Sequence, residues 1–310
     1  MFNNIHIVLL IILLLFAKCD QKLDIITKKK YEFQVPNDTT IAFIMGTKQL
    51  GLHIGITYNH KSAYSLTDGP FETHVDWSPN KKWIIYTKNI DQIEQIWKMD
   101  YDGNNKKKIS PDHLSCEMPF ISPDGSKIVA SCLIDKTDHL IILDTTSSKD
   151  WKQVTDSTLM NYYNIGRFFN PYWSPDCKNL IFNYNLNDWS NMGLGIFNIN
   201  TRRISFLKEL DNLSPFFARW SPTRDEIIFV GNAIPGIQIY RANLDGANPV
   251  KLTNAFMASF PDWSPDGDRI AYLRWESLYK NPTIWIMNRD GSNKKKALDI
   301  SNKLCASPNW

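Results

Sequence analysis

The segment Pro261-Asp262-Trp263-Ser264-Pro265-Asp266-Gly267 decides the fold, because its central triplet returns along the whole chain. Trp-Ser-Pro, or Ile-Ser-Pro in one case, begins at Trp77, Ile121, Trp173, Trp220 and Trp263. A polar turn such as Asp266-Gly267 follows, and then an apolar strand such as 270–273. In such a turn Pro fixes φ, Asp accepts hydrogen bonds from nearby amides, and Gly adopts positive φ. Each triplet therefore predicts a tight turn between two strands.

A second landmark follows the triplets along the chain. The segment 96–104, which contains Ile-Trp-Lys-Met and Asp-Gly, matches the segment 284–292, and both predict a third strand with its turn. A short fourth strand follows, as at 107–110. Four antiparallel strands repeated every 40 to 50 residues are typical of a β-propeller, in which each sheet covers its two apolar faces with its neighbours.

The two ends of the chain fit the same repeat. Residues 36–43 align with 265–272, which places Gln34 at the Trp position of a degenerate first unit, and residues 306–310 match the approach to Trp263. The sequence thus predicts an all-β, six-bladed propeller of four-stranded antiparallel blades. The predicted blades are 39–68 together with 304–310, 71–110, 116–155, 168–208, 215–253 and 258–298. The C-terminal strand would close the ring as the innermost strand of the first blade, with 31–35 left as a competing or flanking strand.

Length and composition limit the class of protein. A length of 310 residues alone would suggest about two domains, but the repeats assign 31–310 to one propeller. The 35 Lys and Arg nearly balance the 32 Asp and Glu, which argues against a nucleic-acid-binding protein. A hydrophobic content of 43% and a mean hydropathy of -0.32 exclude a polytopic membrane protein and general disorder.

The N-terminus contains an export signal. The apolar run 7–16 is too short to span a bilayer and fits the core of a signal peptide. Cys19 directly after it resembles the lipobox of bacterial lipoproteins, which implies a signal peptide over 1–18, lipid on the Cys19 thiol, and a tether over 19–30. Lys18, where a small residue is expected, leaves an ordinary cleaved signal or a short uncleaved anchor open. All three export the protein, and the first predicts a membrane-anchored lipoprotein facing the periplasm or the cell surface.

Export also permits disulfide bonds. Cys116 and Cys132 flank one tight turn and would face each other across two antiparallel strands. They are the candidate pair for a bridge. For the remaining cysteines of the propeller, Cys177 and Cys305, the favoured interpretation is small buried hydrophobic residues.

The repeats resemble those of the TolB-like family of WD-like propellers found in exported bacterial proteins. The resemblance rests on the Pro-x-Trp-Ser-Pro-Asp-Gly and Ile-Trp-x-Met-x-x-Asp-Gly segments and covers about 31–310. It implies the propeller fold and an exported binding protein. TolB itself has an additional N-terminal α/β domain, and we expect this sequence to lack it, because the repeats begin about a dozen residues after Cys19.

Motifs of known chemistry do not occur in the sequence. It contains no Gly-x-Ser-x-Gly elbow, His-Glu-x-x-His or phosphate-binding loop. The segment 100–104 imitates the start of a calcium loop but lacks the required Glu at the twelfth loop position, and the histidines lack the spacing of metal ligands. We therefore predict no catalytic residue, no metal and no cofactor.

Loop length distinguishes the two faces of the predicted propeller. The turns after the first and third strands of each blade are short and share one face, called here the turn face. The opposite loop face carries the longer connections before the first strand and after the second. Variable loops on a rigid scaffold commonly bind ligands, and Trp, Tyr and Arg are frequent hot-spot residues. The candidate binding residues on this face are Tyr162, Tyr163, Arg167, Trp189, Arg274, Trp275 and Glu276, although such aromatic residues can also pad the blade ends.

Three classes of function fit these features. The favoured one is a non-catalytic, exported binding propeller, monomeric, that holds an envelope protein, peptide or glycan near the channel mouth and binds no nucleic acid. A propeller enzyme, such as a carbohydrate lyase or hydrolase acting in the central channel, is the alternative. A structural subunit of an envelope complex is the third.

Overall fold

The computed structural model describes residues 36–37, 39–47, 51–58, 62–147, 149–186, 192–234, 236–278, 280–298 and 304–310. The predicted signal peptide, the lipid attachment at Cys19, the strand 31–35 and the candidate residue Trp189 lie outside these ranges. Within them, no helix is both long enough and apolar enough to cross a membrane.

The described strands form six four-stranded antiparallel sheets. The first sheet begins with β1 (Ile41–Thr47), β2 (Gly51–Thr57) and β3 (Tyr64–Ser65). The second contains β4 (Glu72–Trp77), β5 (Trp83–Ile90), β6 (Ile93–Asp100) and β7 (Lys107–Lys108). The third contains β8 (Ser115–Ile121), β9 (Lys127–Ile134), β10 (Thr137–Asp144) and β11 (Trp151–Gln153).

The remaining sheets follow the same order. The fourth contains β12 (Ile165–Trp173), β13 (Asn179–Leu186), β14 (Met192–Asn198) and β15 (Ile204–Phe206). The fifth contains β16 (Phe216–Trp220), β17 (Glu226–Gly231), β18 (Gln238–Asn243) and β19 (Val250–Lys251). The sixth contains β20 (Met257–Trp263), β21 (Arg269–Trp275), β22 (Thr283–Asn288) and β23 (Lys295–Leu298). Each sheet is one blade, so the predicted six-bladed propeller is confirmed.

The last strand, β24 (Leu304–Asn309), belongs to the first blade. It pairs antiparallel with β1, Asn309 lying opposite Ala42 and Leu304 opposite Gly46, and it is the innermost strand of that sheet. The predicted closure of the ring by the C-terminal strand is therefore confirmed.

The Trp positions of the repeat, called here the anchors (Trp77, Ile121, Trp173, Trp220, Trp263 and Trp310), join neighbouring blades. All six side chains are at most 8% exposed. The indole Nε1 of Trp173 donates to the carbonyl of Phe120 at 3.0 Å, and that of Trp263 donates to the carbonyl of Arg219 at 3.3 Å. In both cases the acceptor residue directly precedes the anchor of the preceding blade. Each of these two indoles therefore links its own blade to the preceding one by a hydrogen bond.

The turn after the anchor is built by hydrogen bonds from its own side chains. Ser264 Oγ accepts the amide of Arg269 at 2.9 Å, and Asp266 accepts the amide of Asp268 at 3.0 Å. The same pair of bonds recurs at Ser122 with Asp124 and at Ser174 with Asp176. Serine and aspartate therefore serve the backbone here, as the sequence predicts.

Every inner strand contains a β-bulge, which the sequence analysis did not predict. The pairing register shifts just before each anchor, and the third residue before the anchor has a positive φ in all six blades: His74, Met118, Asn170, Phe217, Phe260 and Ser307. A bulge adds one residue to a strand and redirects its side chains. Non-glycine residues seldom adopt this conformation. Because it recurs at the same position in every blade, the bulge is a regular part of the blade structure.

A disulfide and two helices complete the scaffold. Cys116 and Cys132 lie opposite each other in β8 and β9 and are joined by a disulfide, within the apolar cluster that also contains Ile85 and Ile96 of the second blade. On the loop face, helix α1 (Ser157–Tyr163) precedes β12; its cap Asp156 accepts the amide of Leu159 at 3.0 Å. A 3-10 helix (Lys208–Leu213) precedes β16.

Candidate functional site

The loop face presents large apolar side chains to solvent. Among the described residues, seven large hydrophobic side chains are exposed. Six of them lie where strands or helices end on the loop face: Phe71 (52% exposed), Ile93 (44%), Leu133 (47%), Tyr162 (79%), Ile234 (93%) and Leu278 (60%). The seventh, Val250 (46%), is on the outermost strand of the fifth blade. This concentration on one face makes the loop face a candidate contact surface.

Tyr162 and Tyr163 have different environments at the end of α1. Tyr162 is highly exposed, and its ring lies 4.7 Å from that of Tyr163 in an edge-to-face contact. Tyr163 packs in turn on Phe206 of the outermost strand β15, with 5.4 Å between ring centroids. Tyr163 therefore supports the helix, whereas Tyr162 is available to a partner.

Arg167 lies at the start of β12 among three carboxylates. Its Nη1 is 3.5 Å from Asp138 Oδ2, and its guanidinium stacks 4.1 Å from the ring of Phe169. Burial raises the pKa of Glu117 to about 7, with contributions from Asp138 and Glu94, while Arg167 opposes the shift. Burial also raises the pKa values of Glu94 and Asp138. This part of the loop face therefore contains three carboxyl groups with raised pKa values and one nearby cation, Arg167.

The three candidate residues at the end of β21, Arg274, Trp275 and Glu276, have different environments. Trp275 was expected on the binding surface, but it is 4% exposed and packs with Ile41, Phe43 and Met257 in the core. The expectation of a surface role for Trp275 is wrong, because β21 continues through this residue and turns its side chain between two blades. Arg274 stacks 4.3 Å from the ring of Trp285, and Glu276 is exposed and pairs with Lys280 at 2.9 Å.

Sequence reasoning missed the aliphatic members of this surface. Ile93, Leu133, Ile234 and Leu278 lie at or beside the connections between second and third strands. The available signal was an apolar residue at a hairpin tip that buries nothing. It was overlooked because hot-spot reasoning gives priority to Trp, Tyr and Arg.

A cavity that is open to solvent lies on the propeller axis. Each of the six bulge residues, one from every blade, lines it, together with the residues before three anchors, Phe120, Arg219 and Asn309. The rings of Phe217 and Phe260 stack at 4.4 Å on its wall. The bulges thus create a lining that an unbroken strand would not present.

The residues before the anchors form a buried ring around the axis. Asn309 Nδ2 donates to Asp76 Oδ1 at 3.0 Å and lies 3.4 Å from Asp262 Oδ2. Both carboxylates also accept amides of the following blade, Asp76 from Ile121 at 2.7 Å and Asp262 from Trp310 at 2.8 Å. Burial raises the pKa of Asp76 to about 7 and that of Asp262 to about 6. This polar half of the ring fixes β24 between its two neighbouring blades.

The other half of the ring is aromatic and carries one cation. The guanidinium of Arg219 lies 4.3 Å from the ring of Phe120 and 4.9 Å from that of Tyr172. Its Nε is 4.0 Å from Asp262 Oδ1. Burial, together with the charge of Arg219, lowers the pKa of the nearby His74 to about 4. The histidine is therefore neutral near pH 7.

In the part of the chain that the structure describes, no group of three or more His, Cys, Asp or Glu side chains could hold a metal ion. The axial carboxylates are separated by Asn309, which is hydrogen-bonded to both.

Comparisons with known proteins give consistent results. Residues 94–295 match the family described as the TolB beta propeller domain. The Tol-Pal system protein TolB of Francisella tularensis is 23% identical over 257 residues, which are 82% of this chain and 57% of the relative. The protein TolB homolog of Chlorobaculum tepidum is 35% identical over 85 residues, 27% of this chain and 19% of the relative. The crystal structure of TolB from Acinetobacter baumannii superposes with a TM-score of 0.71 at 17% identity, covering 89% of this chain and 68% of that one. The chain thus spans little more than half the length of the Francisella relative.

Proposed function

Because the chain belongs to the TolB beta-propeller family, we propose that it is an exported, non-catalytic binding propeller whose loop face holds an envelope protein. The Francisella tularensis relative is named as a Tol-Pal system protein, which is consistent with a partner in the cell envelope. Export through the segment 1–18 and anchoring through Cys19 remain part of the proposal.

The observation that carries the proposal is the set of exposed apolar residues on the loop face. Folding does not account for Ile234 at 93% exposure or Leu278 at 60%, because side chains that stay in water gain no burial energy. Contact with a partner would bury them. Aliphatic side chains offer no hydrogen bonds to sugar hydroxyls, so they favour a protein or peptide over a glycan.

The carboxyl groups near Ile93 and Leu133 indicate which kind of protein surface would fit this part of the loop face. Ile93 and Leu133 belong to the same two blades as Glu94, Glu117 and Asp138. A protein surface with an apolar centre and lysine or arginine at its edge would complement this part of the loop face.

The axial carboxylates support binding rather than catalysis. Asp76 and Asp262 each accept a backbone amide of the next blade and each contact Asn309. A general acid or base needs a lone pair or a proton free to meet the substrate, whereas these oxygens hold the ring together. The channel therefore gives weaker support to a lyase or hydrolase.

Affinity capture from envelope extract with the full chain tests the proposal. We expect the wild type to retain an envelope protein that the double variant Ile93→Ser/Leu133→Ser fails to retain. Val250→Ser is the matched control, since Val250 is 46% exposed, close to the 47% of Leu133, but lies on β19 away from the loop face. Equal retention by the folded double variant, or capture of a glycan alone, would contradict the proposal.

A further inference from the structure

We propose that the axial cavity binds a carboxylate carried on an apolar body, with Arg219 as its counter-ion. This site is separate from the proposed protein contact on the loop face, and the two proposals are tested by different experiments.

Arg219 is a buried cation with unused hydrogen-bonding capacity. It is 9% exposed and lines the cavity. An arginine carries five N–H donors, yet the hydrogen bond found for it within the described residues is that of Nη1 to the carbonyl of Ala218 at 3.0 Å. Asp262 lies 4.0 Å from Nε, beyond hydrogen-bonding distance. A ligand oxygen in the cavity would satisfy donors that the protein leaves open.

The surrounding walls favour an apolar ligand body. Phe217 and Phe260 form one side of the cavity as a stacked pair, and Met118 and Phe120 form another. A planar ring could pack against these side chains while its carboxylate approaches the guanidinium, the arrangement that arginine recognises best. His74 also lines the cavity, and its buried Nδ1 has no hydrogen-bond partner among the described residues.

The charges that face Arg219 make the binding depend on pH. The ionisable groups that face Arg219 are His74 and Asp76 on β4, Tyr172 on β12 and Asp262 on β20, and Lys81 in turn acts on Asp262. Burial raises the pKa of Asp76 to about 7 and of Asp262 to about 6, so both are protonated in mildly acidic solution. Burial also raises the pKa of Tyr172, which stays neutral, and lowers that of His74 to about 4.

The direction of the pH effect follows from these groups. Below about pH 6, Asp76 and Asp262 are both largely neutral, and Arg219 is a buried charge without a counter-ion, which is unfavourable. A carboxylate ligand supplies the missing charge. Above about pH 7 the two aspartates carry negative charge, and they repel the carboxylate of the ligand. Binding should therefore strengthen as the pH falls from 8 to 5.5, over which a ligand with an ordinary carboxyl pKa stays ionised.

Calorimetric titration of the full chain with benzoate tests the site. We expect benzoate to bind roughly tenfold more tightly at about pH 5.5 than at pH 8, because the removal of nearby charges acts at short range. Benzamide has the same shape without the charge and should bind weakly at both pH values. Asp262→Asn keeps an oxygen for the amide of Trp310, and it should bind benzoate more tightly than the wild type at pH 8.

Two further variants complete the test. Arg219→Gln should lose benzoate binding, and Phe260→Ala should weaken it. No benzoate binding at millimolar concentration at pH 5.5, or equal binding of benzamide, would overturn the proposal. So would unchanged binding in folded Arg219→Gln; if that variant does not fold, an unaltered pH dependence in Asp262→Asn overturns it.

A second pair of probes distinguishes the two possible sources of the carboxylate, a protein C-terminus and a small organic acid. A short peptide that ends in a phenylalanine carboxylate is compared with its C-terminal amide and with benzoate. Tighter binding of the peptide acid would assign the site to a protein terminus, and tighter binding of benzoate to a small organic acid. Failure of both acids to bind would refute the site.

Discussion

The turn face and the loop face of the propeller are joined by the same strands but differ in almost every other respect. On the turn face, the same serine and aspartate hydrogen bonds recur from blade to blade, as at Ser122, Ser174 and Ser264. On the loop face the described connections differ from one another: one contains a helix, another a 3-10 helix, and several carry exposed aliphatic residues.

The difference separates the parts of the sequence that build the scaffold from those that can specify a partner. A feature that must occur once per blade is constrained by ring closure and appears as a repeat. A binding surface needs to be built only once, so its residues are free to vary between blades. Repetition therefore identifies the scaffold, and its absence identifies the candidate contact surface.

The largest expected effect concerns an anchor on the turn side. Trp263→Ala should lower the free energy of unfolding by about 4 kcal/mol, because it removes a buried indole between two blades and its hydrogen bond to the carbonyl of Arg219. Urea denaturation measures the loss. Trp285→Ala is the control: Trp285 is only partly buried on the third strand, and an equal loss there would show that the anchor has no special role.

Next in size is an ion pair on the turn face. Glu226 is 6% exposed and receives a two-pronged contact from Arg289, with Arg241 at 3.6 Å. Glu226→Gln should cost about 2 kcal/mol, because it leaves partly buried arginines without their counter-charge. Glu276→Gln on the loop face breaks the exposed pair with Lys280 and should cause no measurable loss. Similar losses in the two variants would remove this contrast between the faces.

A smaller effect is expected from pH acting on the ring interior. Burial raises the folded-state pKa of Asp262 to about 6, above its value in the unfolded chain, so its contribution to stability is complete below about pH 4 and is lost as the pH rises through 6. Asp262→Asn should therefore gain about 1 to 2 kcal/mol relative to the wild type between pH 5 and pH 8. Urea denaturation at the two pH values measures the gain.

Asp266 on the turn face provides the matched control for this pH effect. The hydroxyl of Ser264 and the amide of Asp268 lower the pKa of Asp266, so its stabilisation is lost only as the pH falls below the ordinary aspartate range. Relative to the wild type, Asp266→Asn should therefore have a constant stability between pH 5 and pH 8. A constant difference for Asp262→Asn as well would contradict the raised pKa in the ring interior.

The fold could be predicted from the sequence because its decisive residues recur. The anchors fix the number of blades, and residues 306–310 show the start of a seventh unit, which explains why closure by β24 was foreseen. The bulges were not foreseen, since the residues with positive φ are His, Met, Asn, Phe, Phe and Ser. His74 and Asn170 are residue types enriched in this conformation, but Met, Phe and Ser are not, so backbone pairing rather than residue type determines it.

The candidate site was predicted less well than the fold. The loop face was identified by loop length, and Arg167 and Tyr162 lie on it. Trp275 was misplaced because one residue determines whether a side chain at the end of a strand points between blades or into solvent. The axial cavity was missed because it combines one residue from each of six distant segments, and no local pattern joins them.

The smallest expected effect on stability is at Ile234. Its side chain is 93% exposed, so Ile234→Ser removes almost no buried area and should change the free energy of unfolding by less than about 0.5 kcal/mol. Val230→Ser in the same blade, at 0% exposure, should be strongly destabilising, because it buries a hydroxyl and leaves a cavity. If Ile234→Ser were also destabilising by more than about 1 kcal/mol, the residue would belong to the scaffold. If its stability is unchanged and capture of the envelope partner falls, Ile234 is retained for contact with that partner, and the functional division between the two faces extends to the fifth blade.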